Sequence, residues 1–146
     1  MIYEVAAATT VNEVKITEND KNVPITSLDI LNRGENLFVA AYANGQVKLY
    51  NAVGDLIIEL SAHSRAVNAL KCHPTKSLFV TVSDDTFCNL FEVIGDSLER
   101  VEVDVRNSTC VKDLMLVGVE FWGQDSSSIL AVPYDYPTLI LWEDFV

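Results

Sequence analysis

Two histidines, His63 and His73, are the residues of this chain that could act as bases near neutral pH. His73 is followed by Pro74 in a predicted turn, where we expect an exposed, solvated ring. The sequence contains no GxSxG, HExxH, Walker A or GxGxxG pattern. The acidic pair Asp84-Asp85 is explained by turn formation. We therefore expect no catalytic residues, with an enzyme or a metal binder as the remote alternative.

The three cysteines, Cys72, Cys88 and Cys110, are odd in number, widely spaced and without a CxxC pair. This pattern predicts neither a disulfide framework nor a zinc site, and we expect reduced, mostly buried thiols and no cofactor. The first residues lack the basic segment and apolar run of a signal peptide, and no later run reaches the roughly 18 apolar residues of a membrane span. We therefore expect a soluble, cytoplasmic protein.

The formal net charge is -11 at pH 7, and the sequence pI is about 4.4. Affinity for a phosphate backbone comes from clustered Lys and Arg, but the ten Lys and Arg of this chain are scattered singly. Nucleic acid and anionic membrane are therefore excluded as expected partners. Other proteins, particularly those with a basic surface, are the favoured class.

A segment of about forty residues occurs twice, and a degenerate third copy follows. The sequence LFVAAY at Leu37–Tyr42 corresponds to LFVTVS at Leu78–Ser83, with the two segments starting at positions 37 and 78, an offset of 41. The third copy keeps the apolar positions, including SILAVPY at residues 128–134. A repeat of this size cannot bury both faces alone, so the copies are expected to stack.

Each copy has the pattern of short strands separated by Gly, Pro, Asn and Asp turns, which indicates an all-β sandwich, barrel or propeller. Four strands in about forty residues favour a propeller blade. The predicted strands of the first two copies are residues 25–30, 37–42, 46–50 and 56–60, then 67–72, 78–83, 87–91 and 98–103. Residues 2–7 and 11–16 are predicted to be the last two strands of a preceding blade.

These strands divide the chain into the end of a blade at 1–24, two blades at 25–61 and 62–104, and a degenerate blade at 105–146. About thirteen strands make little more than three blades, whereas propellers close with roughly four to eight. The chain is thus predicted to be an open arc, or half propeller, that is completed by further sequence, by a second copy or by another protein. A homodimer would place residues 138–146 of each chain against residues 1–16 of the other.

The residues Ala62-His63, Ser83-Asp84-Asp85 and Phe91 resemble the signature of the WD-repeat family of β-propellers. In that signature a His, a Ser or Thr, a turn Asp and a Trp form one hydrogen-bonded network inside a blade. The resemblance implies that His63, Ser83 and Asp85 belong to such a network, with Phe91 at the Trp position but without a donor. It also implies a non-catalytic scaffold for protein–protein interaction, or alternatively a structural subunit of a large ciliary or vesicle-associated assembly.

A propeller places the turns between second and third strands on the same face as the connections between blades. We therefore expect a common partner-binding rim that includes the connection at 104–113 and the residues Asn44, Ser64, Arg65, Tyr134 and Tyr136. Tyr and Arg are enriched at protein interfaces. The rim is consequently the predicted binding surface.

Overall fold

The structure, a computed structural model, describes residues 23–146. The two strands predicted at 2–7 and 11–16 lie outside the described residues. Within them the fold is all β, with a single 3-10 turn at Leu98–Arg100 and three antiparallel sheets. None of the described segments forms a helix long and apolar enough to cross a membrane.

Each sheet is a meander of strands that follow one another in sequence. The first sheet contains β1 (Ile25–Leu31), β2 (Leu37–Tyr42), β3 (Gln46–Tyr50) and β4 (Leu56–Ser61). The second contains β5 (Val67–Cys72), β6 (Leu78–Ser83), β7 (Phe87–Ile94) and β8 (Glu102–Cys110). The third contains β9 (Leu116–Trp122), β10 (Ser128–Pro133) and β11 (Ile140–Trp142).

The second and third strands of the first two sheets pair in the same register. Val39 pairs with Leu49 in the first sheet, and Val80 pairs with Leu90 in the second. Both members of the pair are displaced by 41 positions (39 to 80 and 49 to 90), which is the offset of the sequence repeat. The sequence repeat is therefore also a repeat of backbone pairing for this central strand pair.

The sheets stack face to face, and the apolar core lies in the two junctions between them. The first junction packs Val39 and Leu49 against Leu70 and Phe79. The second packs Val80 and Leu90 against residues of the third sheet that include Phe121 and Ile129. Strands β2 and β6 are almost completely buried because a neighbouring strand lies on each side and most of both faces are covered.

The predicted fourth strand of the second sheet, at 98–103, is wrong in position. Residues 98–100 form the 3-10 turn, and the strand is β8, which pairs with β7 from Ile94↔Glu102 to Phe87↔Cys110. The second half of β8 is polar and exposed, so it lacks the apolar alternation by which a strand is recognised in a sequence. The conformation of β8 comes from its pairing with the long strand β7. The predicted boundary between two blades, at residues 104 and 105, falls inside β8.

Candidate functional site

A histidine, a carboxylate and a hydroxyl meet inside the second sheet. His63 lies in the connection between β4 and β5, Thr81 lies in β6, and Asp85 lies in the turn between β6 and β7. The Nδ1 atom of His63 is 3.0 Å from each carboxylate oxygen of Asp85, and its Nε2 atom is 2.8 Å from Oγ1 of Thr81. The backbone N–H groups of Ser64 and Phe87 also donate to Asp85. One network thus holds the connection, the strand and the turn together.

The surroundings of the network fix its protonation. Burial lowers the pKa of His63, although the Asp85 carboxylate opposes this shift. Burial acts to raise the pKa of Asp85, but the N–H groups of Phe87 and Ser64, together with His63, outweigh it and hold that pKa below its usual value. Because a carboxylate only accepts hydrogen bonds, Nδ1 carries the proton of the neutral ring and Nε2 accepts a hydrogen bond from Thr81.

The order carboxylate, imidazole, hydroxyl is also that of a nucleophile activated by a base. Thr81, however, is fully buried, and the side chain of His63 has no exposed surface. A substrate could reach this hydroxyl only if the sheet opened. The geometry therefore favours a structural role for the network.

The hydroxyl bonded to His63 belongs to Thr81 and not to Ser83, the residue that the sequence analysis selected. Ser83 instead accepts a hydrogen bond from the backbone N–H of Asp85 over 3.1 Å and donates to the carbonyl of Arg65 over 3.4 Å. Ser83 is therefore connected to the network of His63, Thr81 and Asp85 through the backbone of the turn. Thr81 lies two residues earlier on the same strand and so points to the same side of the sheet as Ser83, which makes both hydroxyls candidates by alternation alone.

Phe91 lies apart from the hydrogen bonds. Its ring stacks on that of Phe79 in β6, with ring centroids 5.0 Å apart and an interplanar angle of 19°. Both rings belong to the junction between the first and second sheets. An apolar contact therefore occupies the position where the family signature has a Trp.

The predicted rim residues Asn44, Ser64, Arg65, Tyr134 and Tyr136 are all exposed. Backbone hydrogen bonds join turns and connections at this end of the sheets: Ala62 donates to the Gly45 carbonyl, and Tyr134 donates to the Met115 carbonyl. The segment 104–110, by contrast, lies in β8, so the part of the predicted connection that is available to this rim begins at Val111.

The expectation that His73 is solvated is wrong. Its residue is 1% exposed, its Nδ1 atom accepts hydrogen bonds from the N–H groups of Thr75 and Lys76, and its ring lies edge-on to Phe121 of the third sheet. Burial, assisted by Lys76, lowers the pKa of His73 against the opposing influence of the Ser126 backbone and Asp125. The ring therefore closes its own turn and packs in the second junction.

The described residues contain no group of three or more His, Cys, Asp or Glu side chains placed to hold a metal ion. Cys72 and Cys88 are buried, and Cys110 is exposed. Burial raises the pKa of Cys88 to about 12 and that of Cys72 further. These two thiols stay protonated and are poor nucleophiles or metal ligands.

The family model WDR54 matches residues 14–142 of the chain. WD repeat domain 54 of Rattus norvegicus is 30% identical over 108 residues, which cover 73% of this chain and 32% of that protein. WD repeat-containing protein 54 of Homo sapiens is 30% identical over 103 residues, 69% of this chain and 31% of that protein. The chain thus spans about a third of the length of these curated relatives.

Among solved structures, the chain is similar to the Myceliophteria thermophila Cps50 (Swd1) beta-propeller domain. The TM-score is 0.74 at 16% sequence identity, and the alignment covers 93% of this chain and 46% of that chain. At this identity the likeness concerns the fold alone. The three stacked sheets accordingly form part of a β-propeller.

Proposed function

Because the chain belongs to the WDR54 family of WD-repeat proteins, we propose that it is a non-catalytic scaffold that binds other proteins through its rim. One contrast supports this proposal. The side chains that could do acid–base chemistry, His63 and His73, are buried in structural contacts. The predicted rim, in contrast, includes two exposed aromatic side chains, Tyr134 and Tyr136. Tyr is a residue type enriched in protein interfaces.

The rim is tested by affinity capture from a eukaryotic cell extract with quantitative mass spectrometry. The test variant replaces Arg65, Tyr134 and Tyr136 with Ala, and the control replaces Lys76 and Gln124, in turns at the opposite end of the sheets, with Ala. Proteins retained by the wild type and the control should be lost from the rim variant. Equal losses from both variants would refute the assignment of the rim.

The same capture separates two kinds of scaffold. A single set of partners in fixed stoichiometry would favour a structural subunit of a large assembly, ciliary or vesicle-associated, and many substoichiometric partners would favour a transient platform. Hydrolase activity or a tightly held metal in the purified chain would count against both. Three free cysteines fit a cytoplasmic location, where thiols stay reduced.

Self-association is the second part of the proposal. The alignment covers 46% of the similar β-propeller chain, so a ring of that length would need a further part of similar size. A second copy could supply it, with residues 138–146 of each chain against residues 1–16 of the other, in a dimer that closes about a two-fold axis. Sedimentation of a stable monomer at micromolar concentration would refute this part.

A further inference from the structure

Strand β8 is the longest strand of the described chain and forms the outer edge of the second sheet. It pairs with β7 along one side, and within residues 23–146 no strand pairs with its other side. An open edge presents a row of unpaired backbone N–H and C=O groups that can pair with another chain. Most side chains of β8 are exposed, so a second strand can reach this edge along most of its length.

An apolar residue lies at the middle of this edge, between two opposite charges. Val105 is 60% exposed, although its partner on β7, Phe91, is only 4% exposed. Asp104 precedes Val105 and Arg106 follows it, and both charged residues are exposed. The edge therefore has a small apolar centre that is flanked by a carboxylate on one side and a guanidinium on the other.

The two charges lie on the same face of the sheet. The register of β8 with β7 shifts between Val105 and Asn107, so Arg106 is the extra residue of a β-bulge. Its Nη1 atom lies 3.1 Å from Oε2 of Glu92, and Glu92 is the residue of β7 that pairs with Asp104. Because residues that pair across two strands lie on one face, Asp104 and Arg106 are both beside Glu92.

The order of these charges is self-complementary. When two copies of β8 pair antiparallel about a two-fold axis through Val105, Asp104 of each copy lies opposite Arg106 of the other, and opposite charges in such pairs are stabilising. Axes through Asp104 or Arg106 place like charges opposite each other, which is destabilising. Charges and bulges ordinarily protect an edge against pairing. On β8 the charges disfavour these neighbouring registers and favour the one centred on Val105.

From this arrangement we infer that β8 binds β8 of a second copy of this chain, edge to edge and antiparallel. The inference rests on the self-association proposed above, and it assigns the contact to the second sheet and not to residues 1–16 and 138–146. Two chains of formal charge -11 repel each other, so a contact between copies requires a surface where opposite charges meet. Because a guanidinium has five N–H donors, Arg106 can bind Asp104 of the other copy and keep its bond to Glu92.

The first experiment is sedimentation velocity over a concentration series. Arg106→Asp places a carboxylate opposite Asp104 of the other copy, and the two-fold symmetry makes the substitution act twice. It should weaken the dimer at least about tenfold. Lys112→Asp is the matched control, because it changes the net charge by the same amount at an exposed position outside β8. It should change dimerisation less than about twofold.

Exchanging the two charges tests the pairing between copies. In the double variant Asp104→Arg/Arg106→Asp, each opposite pair forms again with its members exchanged, so the dimer should return to within about threefold of the wild type. Glu92→Gln removes the ion pair within one chain and keeps the pairs between copies. It should change dimerisation less than about twofold, which separates the contact between copies from the ion pair inside each copy.

Disulfide formation gives a second measurement, which depends on the register. In a Cys110→Ser background, which lacks the exposed thiol, Val105→Cys places two thiols opposite each other across the two-fold axis. Cα atoms opposite each other in an antiparallel pair are about 4.5 to 5.5 Å apart, which allows a disulfide. Ser108→Cys is the control, because the two copies of this residue would lie six positions, or about 20 Å, apart. Oxidation should crosslink the first variant and not the second.

The outcomes separate this contact from the other proposals. A dimer that Arg106→Asp and Lys112→Asp weaken equally, or that the exchange of charges does not restore, would overturn the inference. A dimer that none of the variants weakens would overturn it too and would favour the contact between residues 138–146 and 1–16, whereas a monomer at every concentration would overturn both contacts. The scaffold function fails separately, through equal losses from the rim variant and its control in affinity capture.

Discussion

The central strand pairs of the first and second sheets, β2 with β3 and β6 with β7, have the same register, yet the two sheets are stabilised by different chemistry. At the repeat offset of 41, Thr81 corresponds to Ala40, Asp85 to Asn44, and Phe91 to Tyr50. The second sheet has the His63 network. In the first sheet the buried hydroxyls of Tyr42 and Tyr50 lie 2.7 Å apart.

The side chains of Lys48 and Asn44 form contacts within the first sheet. Lys48 forms an ion pair with Glu59 at 2.8 Å and lies 5.3 Å from the ring centroid of Tyr42. Within residues 23–146, the Asn44 side chain bonds to Gln46: its Oδ1 accepts a hydrogen bond from the Gln46 backbone N–H, and its Nδ2 donates to the Gln46 side chain. The apolar positions thus set the shared register of the central strand pairs, and the polar network within a sheet is replaceable.

The two sheets also differ at the left-handed residue of the turn between their second and third strands. In the first sheet that residue is Gly45 (φ 89°), and in the second it is Thr86 (φ 76°). A β-branched residue in this region is strained, whereas glycine is not. The reason for glycine in the first turn is close packing: a Cβ on Gly45 would lie 2.2 Å from the carbonyl oxygen of His63.

The largest effect is expected for Gly45→Ala. The added Cβ would meet the His63 and Arg65 carbonyl oxygens at 2.2 and 2.8 Å, both of them backbone atoms, and alanine would also be strained at this φ. We expect a loss of about 2 to 4 kcal/mol in the free energy of unfolding, measured by denaturant titration. Gly34→Ala is the control, because no atom lies within 4 Å of a Cβ placed there. An equal loss of stability at both positions would show that the loss comes from backbone strain and not from contact between the turn and the connection.

The second effect is expected for His63→Ala. This change leaves the fully buried Thr81 hydroxyl without the ring nitrogen to which it donates. Leaving a buried polar group unpaired costs about 1 to 3 kcal/mol, so the free energy of unfolding at pH 7 should fall by about that amount. Asn44→Ala in the first sheet removes only local, exposed bonds and should cost less than about 0.5 kcal/mol.

The pH dependence of the stability lost in His63→Ala tests whether the His63 ring is neutral in the folded protein. Because the pKa of His63 is lowered in the folded state, the unfolded chain binds more protons below pH 6.5. The stabilisation is complete above that value and is lost as the pH falls towards the folded pKa. The cost of His63→Ala should therefore shrink between pH 7 and pH 5, and a cost that grows with acid would contradict a neutral ring.

The repeat, the strand order and the stacking of sheets could be predicted from the sequence because the apolar residues recur at a fixed offset. His63 and Asp85 could be assigned from the family signature. Thr81 could not be separated from Ser83, since both point to the same side of β6 and only distances decide. The burial of His73 could not be predicted, because the residue types in a turn do not show that another sheet packs against it. Phe121 of the third sheet covers the His73 ring.

The smallest effect concerns the second turn. Thr86→Gly removes the strain of a β-branched residue at φ 76°, a gain of about 1 to 2 kcal/mol, but glycine gives the unfolded chain more freedom, which offsets about 0.5 to 1 kcal/mol. The Thr86 carbonyl keeps its hydrogen bond from Val111, so a net stabilisation of about 0.5 kcal/mol is expected by denaturant titration. Thr109→Gly, in β8 and without a positive φ, is the control and should destabilise. If both substitutions destabilise equally, the positive φ of Thr86 stores no strain, and the two turns differ only in the space that their neighbours leave.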